Sequence, residues 1–278
     1  MSADQPGGDV AGEAAPGPIR LRREPPRFRQ VEVRRTGRLG PRMARVVVGG
    51  PAFEGFGVDE PAASVRVLIP SPGDDGLLLP AWDGNEFLRP DGSRPIIRTL
   101  TPRAFDPATL ELAVDVVLHE GGPLAAWARS TEPGTEVAVS GPGRGSPVPE
   151  DASGFLLAGD ETALPAISQL LEALPGAHPV EVHVEVAEPS GRLALPDHPS
   201  ATVTWHDASP GAAPGDAFVN AVRHARIPAG TWVWAAGEAA AVQRLRRLLF
   251  DERGLARSAA WIRGYWKLGR AEGASATG

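Results

Sequence analysis

The hydrophobic rhythm of this chain changes near Pro149, and that change calls for two different architectures in one polypeptide. Before it, apolar residues recur at every second position in short runs broken by Gly and Pro. Leu110, Leu112, Val114, Val116 and Leu118 show the alternation of a half-buried strand. Comparable runs occupy 28–33, 43–48, 64–69, 95–101 and 136–140, and short strands at this spacing predict a small antiparallel β-barrel. Residues 71–94 read as a long loop carrying Trp82. Beyond Pro149, strands at 155–159, 180–187, 202–206 and 231–236 alternate with helices at 160–174, 216–226 and 238–250. That alternation predicts an open parallel sheet covered by helices on both faces. The expected layout is a disordered Gly/Ala/Pro-rich tail over 1–19, a barrel over 20–147 and an α/β domain over 148–278.

Composition removes several function classes. There is no cysteine among the 278 residues, which excludes disulfides, thiolate zinc sites and cysteine-held iron–sulfur clusters. Redox chemistry would therefore use a bound organic cofactor or another kind of metal site. The histidines lack a zinc-ligand spacing, and no Gly-x-Ser-x-Gly or Ser-x-x-Lys segment offers a hydrolytic nucleophile. The net charge of −6, without a long basic run, argues against nucleic acid as a partner. Apolar runs are too short to cross a bilayer and the N-terminus has no signal-peptide core, so the expectation is a cytoplasmic monomer without membrane insertion.

Four segments carry residues suited to ligand chemistry. Arg98-Thr99-Leu100-Thr101 places a guanidinium near hydroxyls and backbone amides, which suits a phosphate or an electron-rich ring edge; it also reads as an ordinary surface strand. His119-Glu120-Gly121-Gly122-Pro123-Leu124-Ala125 runs from a strand through a Gly-Gly turn into a helix. The first amides of such a helix lack internal acceptors and, with the helix dipole, form an anion site, although a plain strand–helix connection has the same look. Gly159-Asp160-Glu161-Thr162 follows a strand and opens a helix, the place where α/β sheets bind dinucleotides. Its acidic pair would repel a phosphate deep in the turn, so a dinucleotide should cross its edge with Thr162 as a contact. The C-terminal Arg263-Gly264-Tyr265-Trp266-Lys267 holds the only tyrosine and the only lysine of the chain. It offers aromatics for a planar cofactor and cations for an anionic substrate, or simply a last strand closing the sheet.

In this order, the segments resemble the siderophore-interacting protein family of FAD-dependent ferric-siderophore reductases, within the ferredoxin-reductase-like superfamily. Met43-Ala44-Arg45-Val46 belongs to the same pattern. The resemblance implies a flavin-binding barrel followed by a nicotinamide-binding α/β domain. An Arg-x-Tyr-Thr strand would hold the flavin, matched at Arg98 and Thr101 with Leu100 in the tyrosine position. His119, Gly122 and Pro123 would hold the flavin diphosphate, and Gly159 to Thr162 would face the nicotinamide. Ser190 and Arg192 follow a strand where such reductases read the adenosine ribose, which slightly favours NADPH over NADH. Electrons would pass from NAD(P)H through FAD to ferric iron in a siderophore or other chelate, with Lys267 and Arg263 drawing in the anionic complex. A flavin reductase serving another acceptor, and a siderophore-binding protein without flavin, are the alternatives.

Overall fold

The computed structural model describes residues 26–269; the tail expected at 1–19, and Arg270, lie outside them. The N-terminal domain is antiparallel. Its strands are β1 (Arg29–Gly40), β2 (Met43–Gly49), β3 (Val65–Ile69), a short pair β4 (Ala81–Trp82) and β5 (Phe87–Leu88), β6 (Ile96–Leu100), β7 (Pro102–Asp106), β8 (Glu111–Val117) and β9 (Glu136–Ser140), with helix α1 (Pro123–Ser130) between the last two. Seven of these form one sheet in the order β6-β3-β9-β1-β2-β8-β7. The two outermost strands are consecutive in the chain and separated only by Thr101, so the polypeptide itself joins both edges and closes the sheet into a barrel. Val33, Val46, Val67, Leu112, Val114, Val137 and Val139 fill it from alternating positions.

Two features depart from the sequence expectation. The run at 95–101 continues past Thr101 into a second strand, β7, because the chain turns a barrel corner there and both Thr101 and Pro102 are buried. The loop at 71–94 contains the β4–β5 hairpin, whose two-residue strands are too short to show a period. Trp82 and Phe87 pack with ring centroids 4.9 Å apart, and Phe28 meets Phe87 edge-on at 5.3 Å.

The C-terminal domain has β10 (Gly154–Asp160), α2 (Leu164–Ala173), β11 (Val180–Val186), β12 (Ala201–Asp207), α3 (Asp216–His224), β13 (Thr231–Glu238), α4 (Ala239–Arg246) and β14 (Ala260–Trp266). A 3-10 turn, Glu161–Ala163, introduces α2, and a π-helical turn, Arg247–Glu252, ends α4. The sheet is parallel throughout, ordered β12-β11-β10-β13-β14. β10 is buried on both faces: Leu157 packs with Ile167 and Leu170 of α2, and Leu156 with Phe218 and Leu245 on the other side. The chain winds outward from β10 to β12, then crosses back to β13, so the carboxyl ends of β10 and β13 flank the switch point where such sheets bind ligands. Met43 and Ala62 of the barrel domain are buried in the core on the α2 side, which ties the two halves together. Among the described residues no helix is long and apolar enough to cross a membrane.

Candidate functional site

On the barrel side the site is built from the start of α1. Gly121 and Gly122 hold φ of 77° and 81°, a region open to glycine, and a Cβ on Gly122 would stand 3.0 Å from His119 Cε1. Pro123 occupies an early helical position, where its missing N–H is no loss. The first turn of α1 has no acidic residue and no side-chain cap. The other helix starts are different. Asp160 caps the turn before α2, Glu185 accepts from the amides of Gly215, Ala217 and Phe218 at α3, and Glu238 accepts from Ala240 and Ala241 at α4. Each of those ends carries its own carboxylate, while the start of α1 carries none.

The Arg98 segment lies beside this helix, with Leu100 and Leu124 both packed on the barrel core. Arg98 is buried and its Nη1 donates to the Ile97 carbonyl at 2.9 Å. Arg98 and Leu100 lie opposite Val67 and Val65 of β3. Thr99 is the exception: strand alternation turns it to the opposite, exposed face, opposite Arg66, so its side chain is not brought to the site. His119 is exposed with Nδ1 3.0 Å from the Glu120 carbonyl, and its own carbonyl accepts from Arg129 at 2.8 Å.

Across the cleft, the 159–162 turn is held together by contacts the sequence does not reveal. A Cβ on Gly159 would lie 2.4 Å from the Ala236 carbonyl oxygen and 2.5 Å from Ala163 Cβ, so the turn needs glycine for close approach to β13. Asp160 accepts from Thr162 N at 2.9 Å, Thr162 Oγ1 at 2.5 Å, Glu238 N at 3.0 Å and Trp266 Nε1 at 2.8 Å. Burial pushes its carboxyl above the ordinary range, against the pull of those four donors. Glu161 grips Arg42 of the barrel domain through two bonds of 2.6 and 2.7 Å. Both carboxylates of this turn are engaged inside the protein, because a buried charge needs partners. Thr162 is spent in part on Asp160.

Thr101 and Tyr265 meet across the domains, with Thr101 Oγ1 3.5 Å from the phenol oxygen, at the long limit of hydrogen bonding. Burial raises the Tyr265 phenol above its usual value, while the charge of Arg263 pulls the other way. Arg263 stacks over Trp261 at 4.9 Å and is exposed, as is Lys267 one residue beyond β14. Ser190 and Arg192 lie on the exposed loop after β11, and Arg192 Nη2 is bonded to both oxygens of Asp207 at 2.7 and 2.6 Å. Nothing in the local sequence marks Arg42, whereas Tyr265 stands out as the sole tyrosine.

Two family models divide the chain along this architecture. Residues 32–146 match the siderophore-interacting FAD-binding domain and residues 152–269 match the siderophore-interacting protein model. The chain belongs to the siderophore-interacting protein family. It is 35% identical to the crystal structure of a siderophore utilization protein from T. fusca, with a TM-score of 0.78, covering 89% of this chain and 95% of that one. An uncharacterized protein of Mycobacterium tuberculosis is 37% identical over 257 residues, 87% of this chain and 90% of that protein. The ferric vibriobactin reductase ViuB of Vibrio cholerae is 29% identical over 234 residues, covering 83% of this chain and 86% of that protein.

Proposed function

We propose that this family member is a reductase that holds FAD on the barrel, draws electrons from NADH or NADPH, and reduces ferric iron in a siderophore or related chelate so that Fe(II) leaves. The observation that carries the reading is the carboxylate-free start of α1 behind Gly121-Gly122, inside the segment that matches the FAD-binding domain model. It fits a diphosphate in both charge and space: helix-start amides, no acidic residue in the first helical turn, and a backbone that approaches without a Cβ.

The amides of Leu124 and Ala125 would bind the diphosphate, with His119 at its flank. Arg98 and Thr101 supply polar contacts along β6, and Leu100, half-buried on the barrel core, presents an aliphatic surface where the family pattern has tyrosine. When bound, the flavin supplies the step-down from a two-electron donor to a one-electron acceptor. The protein's part is to bind, orient and exclude water. No side-chain acid or base is required for electron delivery to the metal. Ferric iron is a hard, highly charged cation held by oxygen donors, and lowering its charge weakens the chelate. Arg263 and Lys267 are exposed beside Tyr265 and would attract an anionic ferric complex to the cleft.

The test is anaerobic. The purified chain should be yellow or turn yellow with FAD, bleach with NADH or NADPH, and regain colour with a ferric chelate while a ferrous trap reports Fe(II). A chain that binds no flavin would refute the proposal and favour a siderophore carrier.

A further inference from the structure

Arg192 is the residue whose position after β11 suits a ribose phosphate, yet its guanidinium is bound to a carboxylate of the protein itself. Asp207 ends β12 directly opposite Val186, the last residue of β11, so both side chains stand at the carboxyl edge of the sheet. A cavity of about 520 Å³ opens beside Asp207, between that edge and the first turn of α3. Its lining includes Glu185, Asp207 and Asp216, together with Trp205 and Ser209, and holds no Lys or Arg. Glu185 is tied up by the α3 amides and Asp216 by Arg244 at 2.7 Å. His206, also in the lining, adds little positive charge: burial and the neighbouring His183 hold its imidazole below the ordinary range. Asp216 also accepts from the Ala213 amide at 3.0 Å, whereas Asp207 pairs with Arg192, an arginine whose side chain is 41% exposed.

We propose that Asp207 makes this site select a dinucleotide with a free ribose 2′-hydroxyl, NADH, over the 2′-phosphorylated form, NADPH. The inference rests on the donor reading above and reverses the sequence expectation drawn from Arg192 alone. A carboxylate at the end of a sheet strand accepts a hydrogen bond from a ribose hydroxyl. A 2′-phosphate brought to Arg192 would instead lie within about 5 Å of Asp207, and two like charges at that range in a partly hydrated site disfavour binding by about tenfold. The ion pair also cancels the charge that a phosphate would seek.

The experiment is calorimetric binding to the FAD-loaded full chain, using 5′-AMP against 2′,5′-ADP and NAD⁺ against NADP⁺, for wild type, Asp207→Asn and Asp207→Ser. Wild type should prefer the unphosphorylated ligand of each pair by about tenfold. Either substitution should tighten the phosphorylated ligands by a similar factor, because Arg192 is freed, and weaken the others by a few-fold. The pair is half-exposed, so both variants should melt with wild type, and having two keeps the test open if one misfolds. Equal affinity of wild type for both forms, or equal effects of the substitutions on both, would overturn the proposal while leaving the donor reading intact. Failure of every nucleotide to bind would instead overturn the donor reading and this inference with it.

Discussion

Arg42→Ala should loosen the seam between the two domains, and the size of the effect follows from the geometry. Glu161 keeps 9% of its side chain exposed and takes two short bonds from Arg42, whose own side chain is 21% exposed. The guanidinium is held more strongly protonated than usual by that hydrogen-bonded pair, and Glu188 adds a weaker contact at 3.8 Å. Removing one partner of a fully buried pair costs about 3–5 kcal/mol, because the survivor stays charged and unpaired. Water reaches one side of Arg42, so about 2–3 kcal/mol is the expected loss here, or a melting point lower by about 5–10 °C. The assay is urea and thermal unfolding followed by tryptophan fluorescence, on Arg42→Ala, Glu161→Gln and Arg42→Ala/Glu161→Gln. The double variant should recover at least half of the loss, since it leaves no stranded charge. A cost below about 0.5 kcal/mol for Arg42→Ala, or additive single effects, would show an ordinary surface pair and refute the reasoning.

Other perturbations test other parts of the structure. Gly191→Ala should mimic Arg42→Ala in melting experiments, because its Cβ would come within 2.0 Å of a Glu161 carboxylate oxygen that the arginine holds in place. Gly122→Ala puts a Cβ on a backbone of positive φ and 3.0 Å from His119 Cε1, and should weaken FAD retention at least tenfold in equilibrium dialysis while leaving the α/β domain's melting unchanged. For Asp160 the folded carboxyl is raised, so the native chain binds that proton more tightly than the unfolded one. Wild-type stability relative to Asp160→Asn should therefore fall as pH climbs from the ordinary carboxylate range through the raised value, and level off above it; paired urea midpoints across that range check the sign. Lys267→Ala should raise KM for an anionic ferric chelate several-fold and leave KM for the nicotinamide donor unchanged; equal shifts would argue against a substrate role.

Local pattern carried most of the architecture. The alternation at 110–118 and the strand–helix rhythm after Pro149 are short-range signals, and the elements they predict appear within a few residues of their expected bounds. The spacing at 160–174 and 238–250 predicts uniform helices, whereas the first opens with a 3-10 turn and the second closes with a π-helical one. Backbone hydrogen-bond choices of that kind leave no trace in hydrophobic spacing. Of the candidate site, the part set by local sequence takes its expected local form, as in the Gly-Gly-Pro start of α1. Contacts with distant partners leave no local trace: Asp160 is completed by Glu238 and Trp266, and Glu161 by a residue 119 positions away. The pairing of Arg192 with Asp207 is likewise invisible locally, since it depends on the parallel register of β11 and β12.

Met43 and Ala62 belong by chain position to the barrel and by packing to the neighbouring sheet. A chimera spliced at the change of rhythm near Pro149 would inherit an oily scar on each half, and a flavin module borrowed from a relative would meet the wrong contour. Anyone exchanging halves between members of this family should carry those two side chains, together with Arg42, along with the recipient's sheet.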